Sequence, residues 1–318
     1  MTTRPVFRLL FSLSLLLAVI AFSDLDAVQQ QFVALGNDRK NGSAAAWIVL
    51  AIFATFPQYL LSARRWQLTA AQLDLNLPYG AALKAYYKAT FFNQVLPGGV
   101  LGDVARAVEH GRHGSPDQRF SAWRAVAIER LAGQLVLIAA VCLAPPFVGF
   151  TGETASTSAT STGWWSVMAA LALITLIVAA YNAAPRLAFV TKISAGLQTF
   201  TADLARAWLR PGLPVRQLAL SLAVLVSYVL SYIALALAFG FDGDLLWLSS
   251  VILLVLLSMS LPLSVAGWGV REVSAAGLWL AGGQDPSAGV AIAVAYGLLN
   301  LGCSLPGLWF ILRRRGMS

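Results

Sequence analysis

The stretch LPGGVLGDVAR, Leu96 to Arg106, sets a proline and three glycines at the end of an apolar run and follows them with Asp103 and Arg106. Much later LPLSVAGWGVR, Leu261 to Arg271, repeats it at every fixed position of L-P-x-x-V-x-G-x-x-x-R. A shift of 165 residues superposes the two. The same shift carries the apolar runs near 6–23, 44–62 and 125–148 onto those beginning near 164, 214 and 287. A single duplication, with approximate repeats 1–150 and 160–318, accounts for the motif and the runs together.

Composition fixes the solvent of these runs. Of 318 residues, 58% are hydrophobic and 11% charged, with a mean hydropathy of +0.72, whereas soluble domains carry about a quarter charged residues. The chain reads as one integral membrane domain, 1–318, all-α, because helices satisfy their own backbone groups in lipid. The formal charge of +8 does not imply nucleic acid, since the basic residues lie between apolar runs, where topology and anionic lipids account for them. Cys142 and Cys303 sit in apolar segments without C-x-x-C spacing and read as inert thiols. Arg4 and Arg8 ahead of the first run permit a signal-peptide reading, but that run has a repeat partner and is expected to be retained.

Lys and Arg concentrate in cytoplasmic loops. Arg4/Arg8, Arg64/Arg65, Arg106 to Arg124, Arg186 to Arg216 and Arg313 to Arg315 are therefore assigned inside, whereas 149–163 and 241–244 hold acids and no base. This works only if the run at 80–97 enters the membrane and returns to the same face. Its partner, 245–266 followed by 273–283, then does so from the outer face. Each repeat has three crossings and one re-entrant hairpin, and an odd number of crossings inverts the second repeat. The expected fold is a polytopic helix bundle of two inverted repeats, multi-pass in a prokaryotic plasma membrane, with both termini cytoplasmic.

Irregular backbone at membrane depth is tolerated only where it is buried in protein or lines a wet cavity. Pro97 and Pro262 stop the entering helices, and Gly98, Gly99 and Gly102, or Gly267 and Gly269, permit conformations and approaches a side chain would block. The helix that follows each break offers free N–H groups suited to phosphate, with Arg106 and Arg271 within about a turn. Arg106, Arg271 and Arg130 are the expected phosphate ligands. Asp103, Glu129 and Glu272 orient them or carry a proton, and closed structural ion pairs remain the alternative for this neutral set of three bases and three acids. Asn93, Gln94, Trp268 and Asn300 complete the candidate substrate site. Glu109-His110-x-x-His113 lies in a basic, glycine-containing loop and reads as solvated. Neither a metal, a cofactor nor a catalytic set is expected.

The segments FFNQVLPGGVLGDVAR (91–106), AIERLAG (127–133), LPLSVAGWGVRE (261–272) and YGLLNLGCSLPGLW (296–309) together resemble the lysylphosphatidylglycerol synthase transmembrane region, a flippase-like membrane family. The resemblance implies a module that moves a phospholipid between leaflets. Its best-understood members are fused to an aminoacyl-transferase domain; with the chain ending soon after Arg315, lipid aminoacylation is not expected. The function implied is translocation of a phospholipid or polyprenyl-phosphate-linked lipid, with an anionic phosphate headgroup as ligand and an enzyme partner possible at the cytoplasmic face. A membrane-embedded enzyme or accessory subunit acting on lipid-linked sugars or lipid headgroups is the rival.

Overall fold

The computed structural model describes residues 25–38, 43–96, 100–112, 114–144, 198–206, 212–260 and 267–315, and all regular structure among them is helical. The helices are α1 (Leu25–Asp38), α2 (Ser43–Gln72), α3 (Tyr79–Val95), α4 (Leu101–Gly111), α5 (Pro116–Leu143), α6 (198–206), α7 (Leu213–Ala238), α8 (Leu245–Met259), α9 (Val270–Ala281) and α10 (Pro286–Arg315). The runs at 6–23 and 164–182, the break residues Pro97, Gly98 and Gly99, residues 261–266 and His113 lie outside the described residues.

Four described helices are long and apolar enough to cross a membrane: α2, α5, α7 and α10. Local chemistry sets their ends. Ser115 forms a capping box with Gln118 and Pro116 opens α5; Asp285 accepts from the Ser287 N–H at 2.9 Å at the start of α10. As a result the helices do not stop where the apolar runs stop. At 30 residues α2 is about 45 Å long against a hydrocarbon core of about 30 Å, and it runs ten residues past the apolar run through Arg64 and Arg65.

The two motifs each close a helical hairpin. In the first, α3 and α4 pack so closely that a Cβ on Gly102 would lie 1.8 Å from the Ala89 carbonyl oxygen. Lys88 Nζ bridges to Glu109 at 2.6 Å on the same pair of helices. In the second, Trp247 on α8 meets Trp279 on α9 edge to face at 5.5 Å, while Met259 at the other end packs on Gly267. Gly267 and Gly269 have φ of +81° and +85°, a region other residues rarely enter. The four hairpin helices have 17, 11, 15 and 12 residues, so none reaches more than about 26 Å.

The expected offset of 165 can be set against the helix ranges. It carries 43–72 onto 208–237, 79–95 onto 244–260, 101–111 onto 266–276 and 116–143 onto 281–308, against α7, α8, α9 and α10. The equivalent helices α2 and α7 pack side by side in opposite directions, with Gln217 Nε2 donating to Thr69 Oγ1 at 3.1 Å and Arg65 Nη1 to Ser221 Oγ at 3.0 Å. Each hairpin packs on the last helix of the other half, α3 on α10 and α8 on α5. Gly307 is pressed against the Tyr87 backbone where α3 crosses α10. Two apolar clusters result. One gathers Trp66, Tyr86, Tyr87 and Ile128; the other gathers Tyr232, Trp247, Ile252, Trp279 and Ile292. Outward faces carry exposed Phe53, Leu60, Leu222, Val226, Leu230 and Leu305, which only lipid would solvate.

Candidate functional site: an arginine-lined cavity between two hairpins

A cavity of about 260 Å³ lies between the halves. Asn93, Gln94 and Val100 line it from the first hairpin, and Met259, Ser260 and Gly267 from the second, so residues flanking both motifs face one space. The facing helices α2 and α7 supply Gln58, Ser62, Arg65, Ser221 and Tyr228, while α5 supplies Arg130, Gly133 and Gln134 and α10 supplies Tyr296 and Asn300.

The charges are ordered in two layers. Arg65 and Arg130 line the cavity, and among the described residues no carboxylate does. Behind them stand the acids. Glu129 is fully buried and accepts from Arg65 Nε at 3.1 Å, again from Arg65 Nη2, and from Arg106 Nη2 at 2.7 Å. Asp103 accepts from Arg106 Nε at 2.9 Å, from Arg130 Nη2 and from Asn93 Nδ2 at 3.0 Å. The arginine side chains differ in access: that of Arg130 is 44% exposed, and those of Arg65 and Arg106 are 5% and 1%.

The pairing within this cluster runs mostly between helices. Glu129 and Arg130 do not pair with each other; each is committed to another helix, Glu129 to Arg65 on α2 and Arg106 on α4, and Arg130 to Asp103 on α4. The expected set of three bases and three acids divides, with Arg271 and Glu272 forming a separate pair. Arg65, expected in a cytoplasmic loop, joins Arg106 and Arg130 around only Asp103 and Glu129, which leaves this cluster one positive charge in excess when all are ionised. The signal for Arg65 was present. Gln58, Ser62, Arg65 and Thr69 follow i, i+4, i+7, i+11, one face of a helix, and Gln217, Ser221, Tyr228 and Ser231 mark the matching face of α7. Gly133 completes the seat: a Cβ there would lie 3.2 Å from both terminal nitrogens of Arg65.

Arg106 and Arg271 are buried and do not line the cavity. The Arg106 guanidinium lies 4.7 Å from the Trp66 ring and 4.8 Å from that of Tyr86. Arg271 lies 4.6 Å from Trp268, is paired with Glu272 at 2.6 Å and fits against Gly297, where a Cβ would be 2.2 Å from its Nη2. Nη1 of each arginine has no hydrogen-bond partner among the described residues. The helix starts are capped from within. Asn93 Oδ1 accepts from the Gly102 N–H at 2.7 Å, and Glu272 Oε2 from the Gly269 N–H at 2.6 Å. The cavity cations are therefore side chains of α2 and α5, while Asn93, Asp103, Gly102 and Glu272 hold the hairpins. Gln94 Oε1 on the cavity wall has no partner among the described residues, and Tyr296 also lines the cavity. Asn300 lines the cavity too, with its amide donating to the Tyr296 carbonyl at 2.8 Å.

Comparison with known families now has a geometry to explain. The family model described as lysylphosphatidylglycerol synthase TM region matches residues 6–307. The chain belongs to that family. The match takes in both hairpins, all the ionic residues just described and the two runs outside the described residues. No curated protein and no solved structure matches the chain. Membership makes it a multi-pass membrane protein with a lipid-related role.

Proposed function

We propose that the protein carries a lipid with a phosphate headgroup between leaflets, binding that headgroup in the cavity between the two hairpins. The observation that carries this reading is the charge layering: two guanidiniums on the wall, carboxylates only behind them. Guanidinium matches phosphate oxygens in bidentate geometry, and excess buried charge at membrane depth is costly unless a ligand compensates it.

In this reading the hairpins are re-entrant, since each arm is too short to cross, and the repeats are inverted about an axis between α2 and α7. The opposed directions of those equivalent helices support the inversion. The basic ends of α2 and α10 face the cytoplasm in a prokaryotic inner membrane, with both termini inside. Arg130, the accessible arginine, meets the phosphate first, and Arg65 holds it deeper. Asp103 and Glu129 keep both arginines aimed. An anionic lipid moving outward gains about 2.3 kcal/mol per charge per 100 mV of inside-negative potential.

The test is leaflet exchange of a labelled phospholipid and a labelled polyprenyl phosphate in liposomes. Arg130→Ala is expected to slow exchange at least tenfold while leaving thermal stability within a few degrees, because Arg130 makes one polar contact to Asp103. Full-rate exchange by this variant would remove the cavity arginine from the mechanism. A chemically altered lipid product formed in detergent would favour the rival enzyme reading instead.

A further inference from the structure

The family's description names an aminoacylated lipid, and the cavity's chemistry bears on whether this chain takes one. A lysyl-phosphatidylglycerol headgroup carries two ammonium groups and one phosphate, a net charge of +1 near neutral pH. An ammonium ion in a confined site needs a carboxylate, a set of carbonyls or an open aromatic face.

This cavity withholds the first and limits the third. Among the described residues no carboxylate lines it. The two nearest acids are saturated: Glu129 by Arg65 and Arg106, Asp103 by Arg106, Arg130 and Asn93. Of the four tyrosines on the wall, three already have ring partners. Tyr59 stacks on Tyr87 at 4.6 Å, Tyr86 holds the Arg106 guanidinium at 4.8 Å and Tyr296 packs on Tyr232 at 4.8 Å. Two guanidiniums would meanwhile repel the amines directly. What the wall does offer is amides and hydroxyls, among them the Tyr296 hydroxyl and Gln94 Oε1, the latter without a partner among the described residues. Such groups suit the hydroxyls of a glycerol or sugar.

We infer that the headgroup accepted between the hairpins is net-negative, hydroxyl-bearing and amine-free, and that the chain discriminates against aminoacylated phospholipid. This rests on the lipid-carrier reading above and narrows its substrate. The selectivity arises from what Arg65 and Arg130 attract and from what no acid is free to attract.

Two measurements on the full chain separate this inference from that reading. In liposomes, labelled phosphatidylglycerol and labelled lysyl-phosphatidylglycerol with identical acyl chains are followed for leaflet exchange. In detergent, the same two lipids compete for the protein by native mass spectrometry. Phosphatidylglycerol is expected to exchange and to bind at least tenfold better. Gln134→Glu places a carboxylate on the wall one helical turn from Arg130 with little change in shape, and it is expected to cut that preference below threefold. Arg130→Gln, which removes a cation instead, is expected to do the same and serves if the first variant is unstable. Equal or better handling of the lysyl lipid overturns the inference and leaves the carrier reading intact. Should neither lipid exchange faster than in protein-free liposomes, the carrier reading falls and the competition alone decides: retention of phosphatidylglycerol only upholds the inference, and retention of both overturns it. A preference untouched by either variant also overturns it, because the wall charges would not be its source.

Discussion

Glu129 shows how much depends on one side chain. It is fully buried and receives both Arg65 and Arg106, so replacing it with Gln leaves buried Arg65 without a carboxylate and Arg106 with Asp103 alone. Removing one partner of a buried pair costs about 3–5 kcal/mol, and Glu129→Gln is expected to lower the melting temperature in detergent more than any substitution of Arg130. A variant melting with the parent protein would show that water, rather than Glu129, neutralises these arginines. Gly133 and Gly297 make a second, matched pair of expectations. Each leaves room for a guanidinium: a methyl group added to the glycine would stand 3.2 Å from Arg65 at the first and 2.2 Å from Arg271 at the second. Overpacking of this sort costs roughly 1–3 kcal/mol. Gly297→Ala is expected to be the more destabilising in thermal melts, because its contact is shorter and Arg271 is fully buried with nowhere to move; Gly133→Ala can push Arg65 toward the cavity and is expected to lower exchange more than stability.

The hairpin is the element whose integrity these residues serve. At Gly102 the obstacle to any side chain is the Ala89 backbone, 1.8 Å from the Cβ position, and backbone cannot rotate away. Gly102→Ala is therefore expected to separate α3 from α4 and release the Asn93 cap at the Gly102 N–H. Limited proteolysis around residues 96–100 reads this out, with faster cleavage expected than in the parent, and an unchanged pattern would mean that the pair can be spread without opening. Much of this element was legible beforehand. The Pro/Gly break and the spacing of the apolar runs foretold both hairpins, since a break in an apolar helix leaves few packings. The helix ends were less legible: α2 outruns its apolar stretch and α5 begins nine residues ahead of its own, because Ser115, Pro116 and Gln118 set a start that lipid thickness does not.

Across the whole molecule, residues 160 positions apart in the chain come to face one space. Val100 and Ser260 line the same cavity from opposite hairpins. With Cys142 and Cys303 replaced, Val100→Cys paired with Ser260→Cys is expected to cross-link through a short bifunctional maleimide and to arrest lipid exchange. A control pairing Val100→Cys with Leu222→Cys, which is exposed on the outward face of α7, is expected to give none. Equal cross-linking in both pairs would place the hairpins elsewhere. The membrane class and the helical architecture follow from sequence alone, because they depend on composition and periodicity, which are properties of neighbouring residues. Which arginines face the cavity does not. Arg65, expected in a loop, lines the cavity while Arg106 is buried away from it, because α2 packs against α5 and α7, and the partner that claims a buried charge is chosen by helices far apart in the chain.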